Sequence, residues 1–160
     1  MSKLKGSARL ILDAKRTANK TANATDLDVV ALDDTVLHAL RLMVERNIRA
    51  VLVLDGDRLA GILTEHDYAR EVELKGRTAR ETRVREIMTA DLVTVGPDDS
   101  IEQCNLLLHR HRIHHLPVVE DGRVLGMLSA HDVLEELVVE EEGQIHDLET
   151  ERLMIQTGNY

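Results

Sequence analysis

Short unbroken apolar runs alternate along this chain with stretches whose apolar residues return every three or four positions, and the two rhythms separate buried strands from amphipathic helices. Residues 27–32, apolar apart from Asp28, predict the first strand. Asp33, Asp34 and Thr35 then offer N-cap oxygens to a helix that carries Val36, Ala39, Leu40 and Met43 on one face and stops near Asn47. Residues 51–54 read as a strand buried on both faces, Gly56 centres a turn, and 59–63 return as the next strand. A helix is expected over 64–74, with Asp67 in its first turn. A linker with Arg77, Arg80, Arg83 and Arg85 follows, and Val84, Ile87 and Met88 predict a short packed helical turn inside it.

From residue 92 the same order starts again. Residues 92–95 predict a strand, Pro97 and Asp98 turn the chain, and Ser100 with Gln103 predicts a capping box for a helix through Leu107 and Leu108. Strands are expected over 116–119 and 124–128, joined by a turn at 121–123. A helix from Ala130 into acidic 135–142 is expected to break near Gly143 and to restart with Ile145, Leu148 and Ile155 on one side. The second set lies at a constant offset from the first: 126 minus 61 gives 65, and the same shift relates Leu27 to Leu92, Asp34 to Asp99, Ile48 to Ile113, Val53 to Val118 and Asp67 to Asp132. A register kept this long marks a tandem duplication. Each half reads β-α-β-β-α, so the fold class is mixed α/β (α+β), and neither half can cover its own sheet, so the two are expected to pack through their sheets. The expected organisation is an N-terminal arm and polar loop over 1–26, a first domain over 27–75, a linker over 76–91, a second domain over 92–140, and an acidic C-terminal tail over 141–160 that is helical in part.

Composition narrows the chemistry. The 160 residues hold no Phe or Trp, and Tyr68 and Tyr160 are the only aromatics, so the core must be aliphatic and a site of stacked aromatic side chains is not expected. A formal charge of −9 argues against nucleic acid as partner, because phosphate binding needs a basic face. The charge is uneven: Lys3, Lys5, Arg9, Lys15, Arg16 and Lys20 face only Asp13 in the first twenty residues, which reads as a solvated arm ending in an apolar anchor at 10–12 and followed by a loop. The acidic tail reads as a solvated helix, or alternatively as a docking surface for a basic partner or as a helix whose Ile145, Leu148 and Ile155 pack across a dimer. The single Cys104 allows no internal disulfide and lies at helical spacing with Ile101 and Leu108, as a packing residue would. No signal peptide and no run of about 18 apolar residues is evident, so a cytoplasmic protein without a membrane partner is expected.

The repeated ending carries the candidate site. Gly61-Ile62-Leu63-Thr64-Glu65-His66-Asp67 recurs as Gly126-Met127-Leu128-Ser129-Ala130-His131-Asp132. A strand handing over to a helix through a hydroxyl places that hydroxyl beside unsatisfied backbone N–H groups, and a carboxylate one turn on can accept both hydrogen bonds of a cis-diol. A plain helix cap, with the acid complementing the helix dipole, uses the same residues. Nothing in the sequence offers a nucleophile with its base, a phosphate-binding loop, a dinucleotide fingerprint or a zinc-protease signature, so no catalysis is expected.

These motifs, GILTEHD and GMLSAHD, with the HHLPVVEDGRVLG approach to the second copy and the EIMT and VTVGPDDSI stretches before it, resemble a stand-alone pair of CBS domains, a Bateman module, over about residues 27–139. The resemblance implies a regulatory sensor that binds an adenosine-containing ligand (AMP first, or ADP, ATP, NAD(H) or S-adenosylmethionine) between the two domains, with no metal required. It also implies a homodimer and a regulated protein that the sequence does not identify. By the resemblance, Asp67 and Asp132 would hold ribose hydroxyls and Thr64 and Ser129 would contact ribose or phosphate. Ala50, Val51, Leu116 and Pro117 would line the adenine pocket, and Ile62, Met127, Val30 and Val95 would supply apolar walls. Similar proteins often carry Arg where this chain has His66, His131 and His114, and His115 is expected to line the same cleft. A titratable imidazole in place of a permanent guanidinium predicts weaker, pH-sensitive phosphate binding, with Arg70, Lys75, Arg77 and Arg112 left as candidate permanent cations. Two other readings compete. One is an adaptor whose dimer surfaces matter and whose clefts bind nothing. The other is a metal site built from His109, His111, His114 and His115, against which the two-residue spacing on a helix argues, since such positions diverge.

Overall fold

The computed structural model describes residues 6–18 and 27–157, with side chains through residue 149. In the first half β1 (Val29–Ala31) runs parallel to β2 (Ala50–Asp55), which pairs antiparallel with β3 (Arg58–Thr64), in the order β1-β2-β3. Between β1 and β2 lies the helix α2 (Val36–Arg46), capped by the Thr35 hydroxyl accepting from His38 N–H and closed by Asn47 at φ 52°. After β3 come α3 (Glu65–Tyr68) and a π-helical turn over Ala69–Glu73, where a plain helix over 64–74 was expected. The linker holds the expected turn of helix, α4 (Val84–Ile87), and the linker is bonded to the first half through Val36 N–H to Thr82 C=O and Val84 N–H to Asp34 C=O.

The duplication is kept in detail. α5 (Ile101–His111) is capped by Ser100 accepting from Gln103 N–H and closed by Arg112 at φ 53°, the counterparts of Thr35 and Asn47. Ser100 uses that one hydrogen bond rather than the reciprocal box its sequence suggested. β4 (His115–Glu120) pairs with β5 (Arg123–Ser129), and the irregularity between Val53 and Leu54 reappears between Val118 and Val119.

One expected strand is missing. Residues 92–95 contribute only a parallel bridge from Val95 to Val118, so the second sheet has two strands. Pro117 accounts for it. Its counterpart Leu52 donates its N–H to Asp28 C=O to hold β1 in place, and a proline has no N–H to offer the matching carbonyl of Val93.

The ends differ most from expectation. Ala8–Ala18 is a helix, α1, rather than a solvated arm, and it packs on the second half: Ala8, Ile11 and Leu12 join Val95, Ile101, Cys104, Leu108, Leu116, Val118, Leu128 and Val133 in one buried cluster. Its start is tied by Ala8 N–H to Asp99 C=O and Arg9 N–H to Pro97 C=O. The loop expected after it lies mostly outside the described residues. At the other end α6 (Ala130–Thr157) continues through Gly143 without the expected break. A lone glycine costs a helix about 1 kcal/mol, which is a weakening and not a stop.

Three clusters make the core. Val36, Ala39, Met43, Val53, Leu63, Val72 and Val84 fill the first half, the cluster with α1 fills the second, and Ala50, Leu52 and Ile62 meet Leu92, Val124 and Met127 between the two sheets. Cys104 is fully buried, and burial together with the nearby Asp99 pushes its thiol pKa up to about 11, so it packs rather than reacts.

Candidate functional site

Each hairpin ends at a helix N-terminus, and the two carboxylates sit there as anchors. Asp67 is 5 % exposed, and its Oδ2 accepts from Thr64 N–H and Thr64 Oγ1, both at 2.9 Å, while Thr64 Oγ1 accepts from Asp67 N–H at 3.1 Å. In the second copy Asp132 Oδ2 accepts from Ser129 N–H at 2.8 Å and Ser129 Oγ accepts from Asp132 N–H at 3.1 Å. The capping role is therefore present in both copies. It engages only Oδ2, and a carboxylate carries lone pairs on both oxygens.

The environments of the two carboxylates diverge beyond the caps. Arg70, one turn along from Asp67, brings its guanidinium to 3.9 Å from Asp67 Oδ1. At Asp132 the cation comes from far away in sequence: Lys15 Nζ of α1 donates to Asp132 Oδ2 at 2.8 Å and to Met127 C=O at 3.1 Å. Burial raises the Asp132 carboxyl, but Lys15 and the Ser129 donors outweigh it and hold the group below the usual carboxylate range.

The glycines explain why strand ends lie so close to other backbone. A Cβ on Gly61 would stand 2.7 Å from Thr89 C=O and 2.9 Å from Met88 Sδ, because the linker pairs here through Ile62 N–H to Thr89 C=O and Thr89 N–H to Ile62 C=O. A Cβ on Gly126 would stand 2.7 Å from Leu12 Cδ2. One copy is thus covered by the linker and the other by α1.

Of the residues singled out from sequence, Ala50 pairs with Thr64 beside Asp67, and His115 pairs with Ser129 beside Asp132. Val51 lies opposite Leu63, Leu116 opposite Leu128 and Pro117 opposite Met127, and all three of Val51, Leu116 and Pro117 are buried. Val30 and Val51 belong to the first core and Val95 and Leu116 to the second, whereas Ala50, Ile62 and Met127 lie between the sheets. His66, His114 and His131 are exposed, and His131 faces Glu135 one turn on at 3.3 Å. The sequence reading missed Lys15. Its signal was present: Lys15 follows Ile11 by four residues and Leu12 by three, so it shares the face of the apolar anchor.

His115 is partly buried, and burial pushes its pKa down, with His114 and Lys15 adding to the effect and Asp132 opposing it. The folded state therefore holds His115 neutral, and the unfolded chain binds the extra proton as the pH falls through the ordinary value of about 6.5. Stability due to this group is complete above that value and is lost as the pH falls toward the depressed folded value. Melting temperatures taken between about pH 7.5 and 5.5 are expected to fall less steeply in His115→Gln than in the wild type; equal slopes would refute the assignment.

Comparison with known proteins gives a consistent picture. The family model for the CBS domain matches residues 23–74 and 84–143. The CBS domain-containing protein CBSX3, mitochondrial, of Arabidopsis thaliana is 34% identical over 143 residues, covering 86% of this chain and 69% of that protein. Among solved structures, a CBS-domain protein from Burkholderia ambifaria MC40-6 superposes with a TM-score of 0.75 at 40% identity, over 84% of this chain and 95% of the other. At the level of the fold alone, the CBS domain pair of protein MJ0100 in complex with 5-methylthioadenosine and S-adenosyl-L-methionine superposes with a TM-score of 0.68 at 21% identity, over 85% and 98% of the two chains.

Proposed function

The chain belongs to the CBS-domain family, as a tandem pair that forms a regulatory module and not an enzyme, and from that premise we propose that it senses an adenosine-containing nucleotide at the strand ends marked by Asp67 and Asp132. The observation that carries this reading is the duplicated acidic cap. A carboxylate fixed through Oδ2 by local donors, two at Asp67 and one at Asp132, is held in one orientation and so is ready for a ribose hydroxyl without further ordering. At the first strand end Arg70 supplies a permanent cation beside it for phosphate. The ligand-bound MJ0100 pair supports adenosine chemistry in this fold. Such a module signals when its ligand binds two of the module's own states with different affinity, and we expect it to act as a homodimer upon another protein. The exposed Leu134, Val138, Ile145 and Leu148 along α6 favour a contact surface there, and an adaptor with silent clefts is the competing reading.

Calorimetric melting with AMP, ADP, ATP, NAD, NADH and S-adenosylmethionine tests the proposal. A ligand at a hundred times its dissociation constant should stabilise the fold by about 2.7 kcal/mol. Asp67→Asn is the informative variant, since an amide oxygen still accepts the cap hydrogen bonds while the charge is gone. Loss of the ligand shift with the unliganded transition nearly unchanged is the expected outcome. Indifference of the wild type to every compound at millimolar concentration would leave the adaptor reading in its place.

A further inference from the structure

Resting on that nucleotide reading, we propose that the two strand-end sites are inequivalent because α1 is an internal occupant of the second: Lys15 holds the Asp132 carboxylate that would otherwise take a ribose, so nucleotide reaches the second site only when α1 moves away. Two independent observations meet here. The Lys15 ammonium bonds both Asp132 Oδ2 and the Met127 carbonyl, which are a side chain and a backbone group of the strand end itself. The cleft that remains beside α1, lined by Ile11, Ala14, Lys15, Asp132 and Glu136, measures about 220 Å³, below the roughly 300–1,000 Å³ that small-molecule pockets occupy.

The contact is strong enough to matter and weak enough to yield. Lys15 and Asp132 side chains are 47% and 18% exposed, so the pair is only partly desolvated, and pairs of this kind contribute modestly. The helix has eleven residues, and such a helix has little stability apart from the surface it packs on. At the first site no part of α1 is present: Asp67 meets Arg70 of the π-helical turn that follows it and nothing from the N-terminal segment among the described residues. Affinity at a site whose competent state is a minor population falls in proportion to that population. The same duplication therefore carries at its second site a condition, the release of α1, that the first does not share.

Titration calorimetry with AMP and with S-adenosylmethionine on the full chain decides the matter, using wild type, Lys15→Met, Asp67→Asn and Lys15→Met/Asp67→Asn. Methionine keeps the apolar stem of residue 15 and removes only the charge. The expected result is one tight equivalent in the wild type that Asp67→Asn abolishes, and a second equivalent in Lys15→Met, or at least a tenfold tightening of a weak second one, that survives in the double variant. Two equal equivalents in the wild type overturn the inference, as does a second site that Lys15→Met weakens, which would make Lys15 a ligand of the nucleotide. An unchanged single equivalent in Lys15→Met overturns it too and leaves the nucleotide reading standing. No binding by any form overturns both.

Discussion

Gly61→Ala is expected to destabilise the protein by about 1–3 kcal/mol, while the matching change in the other repeat, Gly126→Ala, costs less than about 1 kcal/mol. The two glycines hold the same place in duplicated hairpins, and their neighbours separate them. At Gly61 a new methyl group meets the Thr89 carbonyl, backbone that is itself bonded to Ile62, so relief means pulling the linker off β3 and giving up two hydrogen bonds. At Gly126 the obstacle is the far end of the Leu12 side chain, which can rotate. Urea midpoints at unchanged slope would measure both costs. Equal costs in the two repeats would mean that the linker and the Leu12 side chain yield alike.

A larger loss is expected from Leu128→Ala, about 2–5 kcal/mol, because Leu128 is fully buried and its truncation leaves a cavity among well-packed neighbours. Leu63→Ala, at the corresponding buried place in the first half, should cost a similar amount. What distinguishes them is α1. Leu128 shares a cluster with Ala8, Ile11 and Leu12, and Leu63 does not. Hydrogen exchange should therefore speed up across α1 in Leu128→Ala and stay near the wild-type rate there in Leu63→Ala. Uniform acceleration in both would show that the two halves open as one unit.

Local chemistry made much of this fold legible in advance. Thr35 and Ser100, Thr64 and Ser129 are hydroxyl residues immediately before helices, and each caps as its position demands. The constant offset of 65 carried the turns, the antiparallel hairpin pairing and both carboxylates across the repeats. What could not be read depended on distant partners. Ala8–Ala18 shows only one short apolar turn, and nothing local says that its surface lies on residues beyond position 90. The missing strand at 92–95 turned on a single N–H that Pro117 lacks, whose effect appears only once Val93 is placed opposite it. Gly143 looked like a stop because glycine weakens helices, yet a lone weak residue is outvoted by the flanking turns.

The docking of α1 on the second half also fixes an order of events during synthesis. The helix leaves the ribosome first among the described elements, while its partners Asp99, Ile101, Gly126, Met127 and Asp132 follow roughly a hundred residues later, several seconds at ordinary translation speed. An eleven-residue helix is marginal alone, so α1 stays unformed while the first β-α-β-β-α unit assembles behind it. Closure of such a distant contact comes late for the same reason that long loops slow folding. A chain interrupted before β5 would then carry α1 without the surface it docks on, a basic and partly apolar segment with its own liability to stick to other chains.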